Sequence, residues 1–493
     1  MGARAAEAPL PRLSQALLGA LPAGVDAPGY DRARLRPGIV HIGLGNFHRA
    51  HQAAALDRLF ALGRDHDWAV VGGGLMPQDA AQRARLAPQD WLYTLVEREA
   101  GEERARVIGA MVGFCPAEPE ALAARLAEPD IRLVTLTITE GGYFTAADGG
   151  FDADHPLMRA DAAAPDAPRS VFGVLLKALR LRRAHGLAPW TVLSCDNLEE
   201  NGRATARALA GLAAMQSDAL AAVVEAEVAC PSSMVDRITP ALDAAEQAAL
   251  CRRLGYEDAS PVVCEPYWQW VLEDRFPAGR PALEEVGAVF TDDVRPWEAV
   301  KLRILNAGHA AIAYAGALLG HGYAHEAMAD PDIAAWLEAL MTREVIPLLD
   351  PPAGLDPRDY LATCARRFAN PAVRDTLARL CQDGSDRQPR FVLPSIADAL
   401  ARGAPLEGLA LELALWCRYA AEAEPLVDPR AQALRAAARA SREAPEAFLD
   451  LAEVFGVLGT DPRLRAAFAR WIGRLWREDV RAVLRRFVAG GAG

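Results

Sequence analysis

Lysine is almost missing from this chain. Of 493 residues 53 are basic, yet only Lys177 and Lys301 are lysine, so arginine supplies the rest. Asparagine is nearly as scarce, at Asn46, Asn197, Asn201, Asn306 and Asn370. No apolar run reaches the roughly 18 residues of a membrane span, so nothing crosses a bilayer. The net charge of -12 excludes general affinity for nucleic acid or anionic membrane, which needs a basic surface. The eight cysteines (115, 195, 230, 251, 264, 364, 381, 417) form no CxxC and no pairing rhythm. They fit reduced, buried thiols of a cytoplasmic protein. The leader MGARAAEAPLPRLSQALLGALPAG holds too short an apolar stretch for a secretory signal, and Gly2 is not followed by the Ser or Thr that myristoylation requires.

What is present is a large core: 52% of residues are hydrophobic and 24% charged, with no signature of disorder. The length implies two domains or three. After a loose leader over 1–37, GIVHIG (38–43), WAVVGGG (68–74), IRLVTLTIT (131–139) and WTVLSC (190–195) read as strands, and PVVCEP (261–266) as a late one. Helical patterns lie between them, notably PEALAARLA and SVFGVLLKALRLRRAHG. Alternating β and α elements predict a Rossmann-type α/β domain with a parallel sheet. From Pro296 onward strand-like runs vanish and Ala/Leu/Arg helical patterns such as DIAAWLEALMTREVIPLL and RAAFARWIGRLWREDVRAVLRRFV take over. We expect a dinucleotide-binding domain over 1–290 and a mostly α-helical domain over 291–493.

The first strand runs into Gly43-Leu44-Gly45-Asn46-Phe47-His48, a G-x-G-x-x-H turn with histidine where the dinucleotide fingerprint has its third glycine. Two glycines let the backbone turn tightly and approach a pyrophosphate. Glycines that merely close a βα turn would look the same, but a strand before and a helix after favour a cofactor. Gly43, Gly45, Asn46, Phe47 and His48 are therefore cofactor candidates. So are Glu140 and Asn197, which follow later strands, because ligands bind beyond the carboxyl ends of such strands. The first acid after the second strand is Asp79. Its spacing suits either a ribose ligand or a helix cap.

Lys301 opens KLRILNAGH. On an α-helix Lys301, Asn306 and His309 would stand at about 0°, 140° and 80°, on one side. Gly308 would let a ligand or second backbone come close. Asn306 is a poor helix former, whereas Asn201-Gly202 suits a turn. A desolvated lysine loses its proton more easily and can act as a base, which arginine cannot. Lys177, among LRLRR, reads as an ordinary surface lysine.

Seven segments together, HIGLGNFHRAHQ, TLTITEGGY, SCDNLEENG, MVDRITP, VVCEPYWQWVLEDRF, KLRILNAGH and RFANPAVRDTLARLCQDGS, resemble the polyol-specific long-chain dehydrogenase/reductase family, whose members include mannitol 2-dehydrogenases and fructuronate reductases. The resemblance covers the chain from about residue 38 onward. It implies a nicotinamide cofactor, no metal, and Lys301 as general base. Asn197 and Asn306 become amide donors to the developing alkoxide. His309 and Asp236 orient hydroxyls and the lysine, Arg379 reaches a distal hydroxyl, and Glu298 relays protons to solvent. Asp79 matches the acid that selects NAD, although Gln78 stands where the family carries glutamate.

Trp268 replaces the arginine of hexuronate reductases, which favours a neutral polyol, although a tryptophan is ordinarily packing. The expected reaction interconverts D-mannitol and D-fructose. The alternatives are a hexuronate such as fructuronate, or arabinitol, sorbitol or altritol. Partners beyond a small polyol or ketose are not expected, and the protein should be a monomer or weak oligomer.

Overall fold

The computed structural model describes residues 10–146 and 149–490. The chain divides into two compact units between Arg295 and Pro296. The first contains twelve strands among its described residues: β1 (Val25–Asp26), β2 (Pro37–Ile42), β3 (Ala69–Gly73), β4 (Tyr93–Glu99), β5 (Glu102–Ile108), β6 (Met111–Phe114), β7 (Leu133–Leu136), β8 (Thr191–Ser194), β9 (Ser233–Asp236), β10 (Val262–Cys264), β11 (Gln269–Glu273) and β12 (Val289–Thr291).

Five of them form a parallel sheet in the order β6-β3-β2-β7-β8. Adjacent residues point to opposite faces. Ile39, Val70, Leu133 and Leu193 enter one core, while Val40, Val71, Val134 and Val192 enter the other. Helices Pro119–Leu126, Val171–Ala184 and Asn201–Gln216 cover the second face. Both faces are buried, which is why these strands read as continuous apolar runs. Chain order reverses between β2 and β7, the switch point where such sheets bind ligands.

The remaining strands depart from the expectation of one parallel sheet. β4 and β5 form an antiparallel hairpin through Gly101 (φ 85°), flanked by β10 and β1. PVVCEP thus joins the hairpin sheet instead of the five-stranded parallel one. β9, β11 and β12 make a third sheet. The leader is not loose from residue 10 onward: Leu13 is fully buried and Val25 pairs with Ala105. Its first nine residues, Gly2 included, lie outside the described residues.

Every named element of the second unit is a helix among its described residues, joined by loops and one isolated bridge between Tyr323 and Thr376. Its centre is Ala307–Leu318, with every residue from 307 to 316 buried, as expected of a helix apolar on all sides. RAAFARWIGRLWREDVRAVLRRFV is not one helix. It breaks into Pro462–Leu475 and Val480–Val488, and the Asp479 side chain caps the second by accepting from the Arg481 N–H. All eight cysteines are free and buried. No helix among the described residues is long and apolar enough to cross a membrane.

Candidate active site

In the first unit, Gly43 turns the chain out of β2 with φ at 89°, and a Cβ there would lie 2.1 Å from the Thr137 carbonyl oxygen. Only glycine fits. At Gly45 the nearest atom to a Cβ would be 3.9 Å away, so the outer side of the turn is open to a ligand. The following helix is not the continuous one the sequence suggests. Asn46–Ala50 and Gln52–Ala61 are separated at His51, whose Nε2 is 2.9 Å from the Gln269 carbonyl. Asn46 accepts from Arg49 at 2.6 Å, and Phe47 stacks on His51.

His48 is buried and stacks on His41 with ring centroids 3.4 Å apart. Burial drives both imidazoles down, His41 to about 3 and His48 well below its ordinary range. The third-glycine position therefore holds a neutral ring packed on a strand residue. The His41 nitrogens meet the Thr135 and Thr137 hydroxyls, and Thr137 donates to the Gly43 carbonyl at 2.6 Å. His41 of β2, with Thr135 of β7 and Thr137 just beyond it, thus holds the turn together.

Asp79 supports a helix start, although from inside the first turn; the N-cap itself is Met76. It lies at the third position of helix Pro77–Leu86, and its Oδ2 accepts from the Met76 N–H at 2.9 Å. That is one half of a capping box. The carboxylate also occupies the position beside Gly74 where a Cβ would come within 2.1 Å of Oδ2, beyond the carboxyl end of β3. Burial pushes its carboxyl up, against the Met76 and Leu75 amides. Gln78 is exposed beside it.

Glu140 and Asn197 are both exposed after β7 and β8. A residue the sequence reading missed anchors them. Asp196 accepts from the Ile138 and Thr139 N–H groups at 2.9 Å and from the Tyr143 hydroxyl at 2.6 Å. An acid directly after a strand was the available signal. Asn201 is a buried clamp, not a turn residue: its amide bonds Asp196 and Ser233 backbone, and the positive φ belongs to Glu200.

Asp236, at the end of β9, is buried opposite Gln269. Its neighbour Arg237 donates to the Ala50 and Glu265 carbonyls and fixes the loop. Trp268 lies beside His51 and Trp270, under the Arg58 guanidinium at 4.6 Å. These contacts are those of a packing residue. The five parallel strand ends, the constrained glycine turn and the acid after β3 fit a dinucleotide.

In the second unit, Glu298 lies in helix Arg295–Val300, and Lys301–Asn306 follows as a π-helix. This corrects the expected α-helical wheel: the Ala307 N–H reaches back to the Leu302 carbonyl, so each turn is wider. Lys301 and Glu298 are buried, at 8% and 6% exposure. His309 sits on the α-helix beyond, its ring 4.0 Å from that of Phe368. Burial, then the charges of Arg379, Arg367 and Arg387, hold its pKa well below the ordinary range. It is a neutral imidazole whose buried Nε2 has no hydrogen-bond partner, and the buried Asn306 Oδ1 has none either. The unpaired His309 nitrogen suits a hydroxyl-bearing ligand.

Gly308 does not serve a ligand; Phe368 and Leu337 side chains pack there at 3.3 and 3.4 Å from a Cβ. Arg379 is exposed and paired bidentately with Asp375 at 2.6 and 2.7 Å. Arg387 and Gln388 were not read from the sequence, yet both share a small cavity with Asn306. Nothing in their spacing separates Arg387 from the many other arginines. Lys177 is not the ordinary exposed lysine expected: its side chain is 14% exposed and bonds Glu120 and the Asp166 carbonyl.

The family model for the mannitol dehydrogenase Rossmann domain matches residues 37–285, and that for the mannitol dehydrogenase C-terminal domain matches 293–476. The mannitol 2-dehydrogenase of Cereibacter sphaeroides is 50% identical over 474 residues, 94% of this chain and 99% of that one. The mannitol 2-dehydrogenase of Phaeosphaeria nodorum is 40% identical over 94% of this chain and 83% of its own. Among solved structures, Pseudomonas fluorescens mannitol 2-dehydrogenase in ternary complex with NAD and D-mannitol superposes with a TM-score of 0.86 at 41% identity, covering 97% of this chain and 99% of that one. A substrate-free D-sorbitol dehydrogenase gives 0.88 at 34%, covering 96% and 100%. With the two family models in sequence order and these relatives matched nearly end to end, the chain belongs to the mannitol dehydrogenase family.

Proposed function

We propose that this protein is an NAD-dependent polyol dehydrogenase that interconverts D-mannitol and D-fructose at C2. The observation that carries the reading is the near full-length likeness to mannitol 2-dehydrogenases, joined to a buried Lys301 in a chain almost without lysine. When bound, NAD supplies the acceptor for the hydride leaving C2.

Lys301 takes the proton of the C2 hydroxyl in the same reaction, leaving a ketone. Asn306 donates its amide to the oxygen as negative charge develops there, where a preorganised donor is worth most. Neutral His309 orients an adjacent hydroxyl without adding charge. Glu298, three residues before Lys301, passes the proton towards solvent, and Arg379 meets a distal hydroxyl. The family pattern gives Asn197 and Asp236 of the first unit the roles of amide donor and hydroxyl-orienting carboxylate. Gly43, Gly45, Asn46, Phe47, His48, Glu140 and Asn197 form or support the nucleotide turn and strand ends. Asp79 disfavours a 2′-phosphate and so selects NAD. The eight free, buried thiols fit a cytoplasmic setting.

The test is a substrate panel followed at the reduced-nicotinamide absorbance band. NAD with mannitol, and NADH with fructose, should both react; silence with both pairs would sink the mannitol assignment. Sorbitol is the second reading, supported by the likeness to D-sorbitol dehydrogenase. Faster turnover on sorbitol than on mannitol would select it.

A further inference from the structure

One buried feature of the second unit is not used by the chemistry above. Asn306, Tyr314, Arg387 and Gln388 line a cavity of about 10 Å³, room for one water and no more. Two amide oxygens of these residues, Asn306 Oδ1 and Gln388 Oε1, are buried with no hydrogen-bond partner. Both are acceptors, so neither can satisfy the other. Gln388 is 1% exposed, and its Nε2 donates to Glu412 Oε1 at 2.7 Å. That bond turns one N–H of the amide to Glu412 and orients the amide, with the oxygen left unpaired. Glu412, also 1% exposed, comes from helix Glu407–Glu422 and Gln388 from helix Gly384–Phe391. Two further helices thus converge on the last residue of the π-helix.

What the two acceptors lack in common is a donor between them. A single water has two O–H donors, one for each amide oxygen, and can accept from Arg387 or Tyr314 in return. Three or so polar partners in a small polar cavity are what a buried water requires. Bound there, it fixes which way the Asn306 amide faces: with Oδ1 held by the water, Nδ2 is left to donate elsewhere.

We propose that Gln388, held by Glu412, positions the Asn306 amide through one ordered water in this cavity. Gln388 and Glu412 are positioning residues; neither touches substrate. The inference rests on the reading of Asn306 as an amide donor in polyol oxidation.

Two measurements test it. The first is a double-mutant cycle in steady-state polyol oxidation. Gln388→Met should lower kcat by on the order of tenfold, less than the roughly 10²–10³-fold expected for losing an oxyanion donor outright in Asn306→Ala. In the Asn306→Ala background the same substitution should cost nothing further, because it acts only through that amide. Glu412→Gln, which keeps an acceptor for Gln388 Nε2, should stay near wild type, whereas Glu412→Leu should behave like Gln388→Met. Effects that multiply in the double variant, or an unchanged kcat in Gln388→Met, would overturn the proposal.

The second is a high-resolution crystal structure of the wild-type protein, which needs no variant to fold. Density for one water within hydrogen-bond distance of Asn306 Oδ1 and Gln388 Oε1 is expected; a cavity without it overturns the proposal. A wild-type protein inert on every polyol would count against the functional reading alone, while the crystal structure would still decide this one.

Discussion

Lys301 and Asn306 are the first and last residues of one six-residue π-helix. Such segments are rare, occur mostly as single widened turns inside α-helices, and are frequent at functional sites. Here the widened turn is followed without a break by the helix Ala307–Leu318 that carries His309. The proposed base and amide donor therefore share one short segment, continued by a helix buried at every residue from 307 to 316. Rigid placement is what a donor aimed at a developing charge requires.

Gly43→Ala should damage the first unit directly. The new Cβ would meet the Thr137 carbonyl at 2.1 Å on a backbone held at φ 89°. A loss of more than about 1 kcal/mol is expected where neither the conformation nor the space suits a side chain. Thermal unfolding measures it, and an unchanged midpoint would show that the turn relaxes.

Asp79 combines two roles that different substitutions separate. Asp79→Asn keeps an oxygen for the Met76 N–H but removes the charge, so stability should hold while discrimination against NADP falls. Asp79→Ala should also lose stability, by about 0.5–2 kcal/mol as for other helix caps. NAD should weaken by roughly tenfold in both, the scale of one charge-assisted hydrogen bond. Unaltered preference for NAD over NADP in Asp79→Asn would leave only the cap.

Glu412 gives a pH signature. Burial pushes its carboxyl up to about 8 from 4.5, and the groups facing it are Gln388 and Tyr314. A raised folded-state pKa means that its proton stabilises the fold fully below about 4.5, and that this contribution is lost as pH rises through about 8. The slope is at most about 1.4 kcal/mol per pH unit. Glu412→Gln carries no such proton. Its stability relative to wild type should rise between pH 4.5 and 8, followed as the difference in unfolding midpoint; a difference constant with pH would contradict the protonated acid.

Four strands of the parallel sheet were legible because they are buried on both faces, so GIVHIG and IRLVTLTIT stand out as apolar runs; the edge strand β6, partly buried at Val112 and Gly113, was not read. The β4–β5 hairpin was not, since Glu97 to Arg104 is mostly charged and hides its alternation. The partner of β10 is a tertiary fact that three residues, VVC, cannot carry. The break at His51 follows from its packing with Phe47 and Trp268, not from local propensity. In the second unit scarcity singled out Lys301 and Asn306 as candidates, while the α-helical spacing that joined them to His309 does not hold across the π-helix. The π-helix leaves no mark in composition. Gln388 and Glu412, 24 residues apart on different helices, had no pattern to betray them.

The measurement that bears most directly on the account is turnover of mannitol with NAD by Lys301→Ala across the pH range, beside NADH titration of the same protein. Loss of the general base should lower kcat by about 10²–10⁴-fold and leave NADH affinity close to wild type. Near-normal turnover at every pH would contradict Lys301 as the base.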